Sequence, residues 1–157
     1  METKRKHPGV YIPPPLIYAL VFLLSLLLQR LFVISPSFFN TRPAHILGWI
    51  TIAFSQILVL PAITGFIQSR NTLITVKPAN SLQRKGLYSF TRNPMYLGLI
   101  FLYTGTAFFV GNWWSFILIP MLIVLMTVYV IKREEKYLAD AFGQDYTAYK
   151  ISVRRWI

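Results

Sequence analysis

Apolar residues run almost unbroken along four stretches of the chain, at about 16–34, 44–66, 95–110 and 113–131. A helix advances about 1.5 Å per residue, so crossing a hydrocarbon layer ~30 Å thick takes ~20 mostly apolar residues. The first run, Leu16 to Ile34, follows Pro13-Pro14-Pro15 and meets that length, as do the second and fourth. The third is short and passes into the fourth through Gly111-Asn112-Trp113-Trp114. Such a tight connection predicts a helical hairpin with Trp113 and Trp114 at a membrane interface. Pro61 and Pro120 fall inside runs two and four, where each removes a backbone donor and predicts a kink. Continuous apolar runs, rather than strand-length alternation, favour helices over a closed barrel.

Beyond Ile131 the pattern becomes amphipathic. Lys132 to Phe142 reads as a helix with Tyr137, Leu138, Ala141 and Phe142 on one face, stopped by Gly143. Asp145 is expected to cap a second short helix carrying Tyr146, Tyr149 and Val153 on one stripe. Trp156 and Arg154-Arg155 are expected to anchor the end at the interface. The predicted fold class is therefore all-α. It is a polytopic membrane helical bundle of four transmembrane helices, with cytoplasmic C-terminal amphipathic helices over 132–157, forming one domain across 1–157.

Composition agrees with a lipid-facing surface. Of the 157 residues, 55% are hydrophobic and 13% charged, against about 25% charged in an ordinary soluble domain. The absence of cysteine excludes disulfides, thiolate metal sites and cysteine nucleophiles. His7 and His45 are too few and too far apart for a histidine metal cluster. The N-terminal run lacks a small-residue cleavage site and reads as a retained membrane helix.

The net charge of +11 is distributed by topology. Lys4, Arg5 and Lys6 precede run one. Arg70, Lys77, Arg84, Lys85 and Arg92 lie between runs two and three. Lys132, Arg133, Lys136, Lys150, Arg154 and Arg155 follow run four. Four crossings put all of these on one side, leaving Arg30 and Arg42 near the other, so both termini are expected in the cytoplasm. The basic charge is assigned to contact with anionic headgroups. No nucleic-acid motif accompanies it, so no nucleic-acid partner is expected.

Against this basic background, four of the five acidic residues fall in one stretch, as Glu134, Glu135, Asp140 and Asp145. Glu134 and Glu135 read either as a solvated pair matched to nearby lysines and arginines or as carboxylates serving a site. Adjacent helical residues point about 100° apart, so the two need not share a role. A second polar stretch, "GLYSFTRNPMYLG" from Gly86 to Gly98, leads into run three. Asn93-Pro94 is a helix-start signal with Asn93 at the cap. The free N–H groups of such a start suit an anionic group, and Arg92 adds positive charge. Gly98 permits close approach of a neighbouring helix or a ligand. Read alone, the stretch is better explained as an ordinary capped membrane helix with an interfacial arginine.

Together, "GLYSFTRNPMYLG" and "REEKYLADAFGQDYTAYKISVRRWI", with "PGVYIPPPLIY" at the start, resemble the isoprenylcysteine carboxyl methyltransferase and phospholipid methyltransferase group, in its small bacterial form. The resemblance implies an integral membrane methyltransferase using S-adenosylmethionine bound beneath the C-terminal helices. It implies cofactor-binding roles for Tyr88, Arg92, Asn93, Pro94, Met95, Tyr96, Gly98, Glu134 and Glu135, with Phe142 and Gly143 in the same motif. Arg92, Tyr146 and Tyr149 are expected to act in catalysis, and no metal is expected. One glutamate is expected to face the cofactor and the other to pair with a basic residue. Asn93 stands where the isoprenylcysteine branch usually has histidine, and Val128 and Val130 stand where an upstream arginine occurs in its eukaryotic members.

The reaction class needs an acceptor lone pair held in line with the methyl carbon and water kept out. A carboxylate acceptor needs no base; a protonated amine does, with Tyr146, Tyr149 or a glutamate as candidates. The expected acceptor is lipophilic and enters from the bilayer, along a path that Tyr88, Tyr96 and Tyr103 could line, although Tyr103 reads better as interfacial packing. Gln29-Arg30 reads as a snorkelling break and His45 as interfacial. A bacterial inner membrane is the expected location. The rival readings are an NADPH-dependent membrane reductase of the sterol type and a non-catalytic membrane adaptor.

Overall fold

The computed structural model describes residues 7–68 and 81–157. Lys4, Arg5, Lys6, Arg70 and Lys77 of the charge count lie outside the described residues. Every regular element among the described residues is helical. Helix α1 spans Pro14–Leu31 and α2 spans Arg42–Gln68. Helix α3 spans Pro94–Val110, α4 Trp113–Ile117 and α5 Ile119–Leu125. A π-helical segment, Met126–Ile131, follows, and then α6, Lys132–Phe142, and α7, Gln144–Ser152. Short 3-10 turns occur at Ser37–Asn40 and Gly86–Ser89.

Helix α1 starts two residues before the apolar run because Pro14 occupies its first position, where a missing N–H leaves nothing unsatisfied. Thr41 starts α2, its Oγ1 accepting from Ala44 N at 3.4 Å. Helices α1 and α2 are long and apolar enough to cross a membrane, and only 28% and 17% of their apolar windows are buried. Large side chains such as Leu23, Leu27, Trp49 and Ile57 face outward, which a soluble protein's core helix would not tolerate. Helix α3, with 17 residues, falls just short of that length.

The fourth apolar run is not one regular helix. Leu118, at φ −83° and ψ −8°, separates α4 from α5 because Pro120 has no N–H to continue the ladder. The chain then widens into the π segment before the first glutamate. Pro61, by contrast, lies within an uninterrupted α2. The predicted hairpin is present. Gly111 turns the chain at φ 71°, and Asn112 Oδ1 accepts from Trp114 N at 3.0 Å to start α4. The Trp113 and Trp114 indoles donate to the carbonyls of Ser35 and Phe32, tying the α1–α2 connection to the hairpin.

The α2–α3 interface is the largest between helices, and glycines let the two backbones approach. A Cβ on Gly105 would stand 2.6 Å from Ile52 and 3.1 Å from Gly48 O. The core joins Val10, Ile17, Tyr18 and Val21 to Tyr96 and Tyr103 of α3 and to Leu122, Met126, Val130 and Ile131. Tyr103 is therefore a core residue rather than an interfacial one, packed edge-on against Phe22. A second cluster, Tyr146, Tyr149 and Val153 with Leu82, Leu138 and Phe142, gathers the amphipathic faces of α6 and α7. Ala141 lies outside it, exposed.

Three expectations for the C-terminal region are corrected. Gly143, not Asp145, occupies the cap of α7, and no side chain caps it. Asp145 instead lies in the first turn and pairs with Arg84 at 3.2 Å. Trp156 packs against the main core rather than marking an interface. Arg155 turns inward, as described next.

Candidate active site

The loop before α3, the start of α6, helix α7 and the C-terminal tail meet at one end of the bundle. Both glutamates lie there, in the first turn of α6, directly after the π segment. Such segments interrupt α-helices frequently at functional sites.

The two carboxylates have different partners, as their 100° separation requires. Glu134 turns to α3, and its Oε1 accepts from the Tyr96 hydroxyl at 2.6 Å. Tyr96 is itself held by α1, its carbonyl accepting from Tyr18 OH at 2.8 Å. Glu135 turns to the tail. Arg155 Nε and Nη2 each donate to it at 2.8 Å in a two-point fork, and Arg92 Nη1 lies 3.1 Å from its Oε1. Only 9% of the Arg92 side chain and 11% of that of Glu135 are exposed, so each charge depends on the other for solvation. Arg92 Nη1 also donates to Tyr146 OH at 3.3 Å, while its Nε is buried without a partner.

Burial lifts the Glu134 carboxyl from its ordinary 4.5 to about 7; the Tyr96 hydrogen bond opposes this and the charge of Glu135 adds to it. Burial acts on Glu135 in the same direction. There the Arg155 hydrogen bonds and the charges of Arg92 and Arg155 prevail and hold its carboxyl below the usual range. The Arg155 guanidinium is correspondingly raised, first by its hydrogen bonds to Glu135. Burial pushes the Tyr149 phenol up to about 12. It raises Tyr146 as well, with Glu135 adding, and raises Tyr88 strongly. These three tyrosines are neutral phenols at neutral pH.

The remaining residues named from the sequence fall around this centre. Tyr88 lies in the 3-10 turn, its carbonyl accepting from Tyr149 OH at 2.6 Å. Asn93 is at the cap of α3, but its side chain does not cap. Its carboxamide donates to Arg155 O at 2.9 Å, leaving the helix start to Pro94. Pro94 is buried in the first turn and Met95 half-buried beside it. Gly98 faces α2, not the glutamates. A Cβ there would stand 2.5 Å from Val59 Cγ2 and 3.3 Å from Ser55 O, so helix approach, not ligand approach, explains it. Gly143 turns the chain from α6 to α7 at φ 55°.

Sequence reasoning missed Arg155, Thr91 and Tyr18 as members of this network. Thr91 Oγ1 donates to Arg155 O at 3.2 Å and accepts from Asn93 N. The links that bring the three into the site are non-local: Thr91 joins Arg155 across 64 positions, Tyr18 joins Tyr96 across 78, and Arg155 joins Glu135 across 20.

Among the described residues no group of three or more metal-ligating side chains gathers. The arrangement is instead one for holding a polar organic group. It combines a buried carboxyl that titrates near neutrality, an orphaned guanidinium N–H and several phenols beside an apolar bundle.

Comparison with known proteins agrees with the resemblance read from the sequence. Over 68 residues, 43% of this chain, it is 32% identical to the protein-S-isoprenylcysteine O-methyltransferase of Schizosaccharomyces pombe, and spans 29% of that enzyme. Over 63 residues, 40% of this chain, it is 35% identical to an uncharacterized protein of Haemophilus influenzae, covering 100% of it. No solved structure matches. The phospholipid methyltransferase family model matches residues 43–145, from the first turn of α2 into α7 and across both halves of the site, and the chain belongs to that family.

Proposed function

We propose that this protein is an integral membrane methyltransferase that uses S-adenosylmethionine to methylate a lipophilic acceptor. The observation that carries the reading is the convergence of Tyr96–Glu134 and Arg92–Glu135 at one end of an apolar bundle. The polar groups there suit the cofactor's chemistry. Carboxylates accept only, so Glu134 would take the cofactor's ammonium or ribose hydroxyls. The orphaned Arg92 Nε is a buried donor suited to the cofactor's carboxylate. Arg92's other contacts, to Glu135 and Tyr146, keep its plane fixed for that purpose. The cofactor, when bound, supplies a methyl group on a sulfonium.

The protein's own contribution is positioning and exclusion of water. An amine acceptor must lose a proton, and Glu134 is the fitting base, because a carboxyl titrating near 7 is poised at neutral pH. Tyr146 and Tyr149 are held as neutral phenols and act better as donors and supports. A carboxylate acceptor would need no base and would leave Glu134 to the cofactor. In the membrane we assign four crossings: α1, α2, α3, and the α4–α5–π unit. Both termini and the site lie on the cytoplasmic side of a bacterial inner membrane, and the acceptor enters from the bilayer.

The test is transfer of labelled methyl from S-adenosylmethionine to a panel of membrane lipid extracts by the detergent-purified protein. Label recovered in a lipid fraction, and lost in E134Q, is the expected result. Absence of transfer to every lipid and isoprenoid fraction by folded, cofactor-binding protein would refute the acceptor assignment.

A further inference from the structure

We propose that Arg155, in the tail beyond the family-matched segment, is the positioning residue that orients Glu135 and through it Arg92, so that the C-terminal tail is a working part of the site. This rests on the methyltransferase reading above.

Glu135 is the junction between two guanidinium groups. Arg92 meets it at one point, through Nη1 at 3.1 Å. One contact leaves a carboxylate free to rotate about its terminal bond. Arg155 meets it at two points, both 2.8 Å, and a planar fork on a planar carboxylate fixes its plane. The oxygen that Arg92 shares is therefore placed by Arg155. Arg92 in turn presents its unpartnered, buried Nε in the direction this arrangement dictates.

The tail can do this because its backbone is docked independently of the Arg155 side chain. Arg92 N donates to Arg154 O at 3.0 Å. Asn93 Nδ2 and Thr91 Oγ1 both donate to Arg155 O. Trp156 packs into the main core on the other side. Truncating the Arg155 side chain leaves all of these in place. Arg154 provides a natural control, since it is exposed and takes part only through its carbonyl.

The pH dependence distinguishes positioning from mere support. Glu135 faces Arg92 from the segment before α3, Arg155 from the tail, Tyr146 and Lys150 from α7, and Glu134 on its own helix. Without Arg155, the charged form of Glu135 loses its strongest hydrogen-bond partner. Its protonation then begins at higher pH, so cofactor binding loses a second increment on the acid side, below the Glu134 titration near 7.

The experiment titrates detergent-purified wild type, R155A, R155K and R154A with S-adenosylhomocysteine across pH 4 to 8, with melting curves to show that each variant is folded. R155A is expected to bind on the order of tenfold more weakly, with its acid limb shifted to higher pH. R155K, which keeps charge but not the fork, is expected to fall between R155A and wild type, and R154A to match wild type. If R155A does not fold, R155K alone decides by the same weakening and shift. Binding by R155A or a folded R155K equal to wild type with an unchanged pH profile would overturn the positioning role alone. So would equal weakening in R154A. No binding by wild type would overturn the methyltransferase reading and this inference with it.

Discussion

Replacing Glu134 with glutamine should stabilise the protein at alkaline pH while damaging its site. The carboxyl titrates at about 7 instead of 4.5 because burial disfavours its charge. A raised folded-state value means that the native protein holds the proton more tightly than the unfolded chain does. The associated stability is complete below about 4.5 and is lost as pH rises through 7. Holding the proton to about pH 7 rather than 4.5 amounts to about 3 kcal/mol. Glutamine removes the charge yet keeps an oxygen that can accept from Tyr96 OH. Melting curves of wild type and E134Q in the same detergent, at pH 4.5, 6, 7 and 8, give the comparison. The two should nearly coincide at pH 4.5 and diverge above 6, with E134Q the more stable by pH 8, while its affinity for S-adenosylmethionine falls at least about tenfold. Stability sacrificed at one residue for function is a usual trade. If E134Q is less stable than wild type at pH 8, Glu134 is a structural partner of Tyr96, and the argument from its buried charge is wrong.

Other substitutions probe neighbouring links. R92A leaves Glu135 to Arg155 alone and should lower stability by roughly 2–3 kcal/mol, with weaker cofactor binding in calorimetry; unchanged binding would remove Arg92 from the site. G98A pushes a Cβ against Val59 and the Ser55 carbonyl and should reduce stability by about 1–3 kcal/mol in melts, with cofactor affinity in the folded fraction unchanged. Y149F removes the donor to Tyr88 O and should lower stability by about 1–2 kcal/mol while turnover stays within about twofold; loss of turnover without loss of stability would restore Tyr149 as the base.

The parts of the fold that local pattern controls were legible in the sequence. Apolar runs marked α1, α2 and α3, polar-apolar spacing marked α6 from Lys132 to Phe142, and Gly111 and Gly143 marked the turns. The break at Leu118 and the π segment were not, because a proline signals a disturbed ladder without saying how far away the chain will yield. Of the candidate site, the two polar stretches and the divergence of the glutamates, one of them paired with basic residues, were legible, since adjacent helical residues must diverge. The partners were not. Asn93 reads as a cap locally, yet its carboxamide joins a tail carbonyl 62 positions on. Gly98 reads as ligand approach or helix approach, and only the position of Ser55 and Val59 decides. Arg155 reads as an interface anchor because nothing near it in sequence announces Glu135.

The most direct measurement is calorimetric titration of detergent-purified wild type with S-adenosylmethionine and S-adenosylhomocysteine, with NADPH alongside. Saturable binding of both adenosyl compounds at one site per chain, and none of NADPH, is the result predicted by a carboxylate–guanidinium site at Glu134 and Arg92. Binding of NADPH alone, or of none of the three by folded protein, would contradict it.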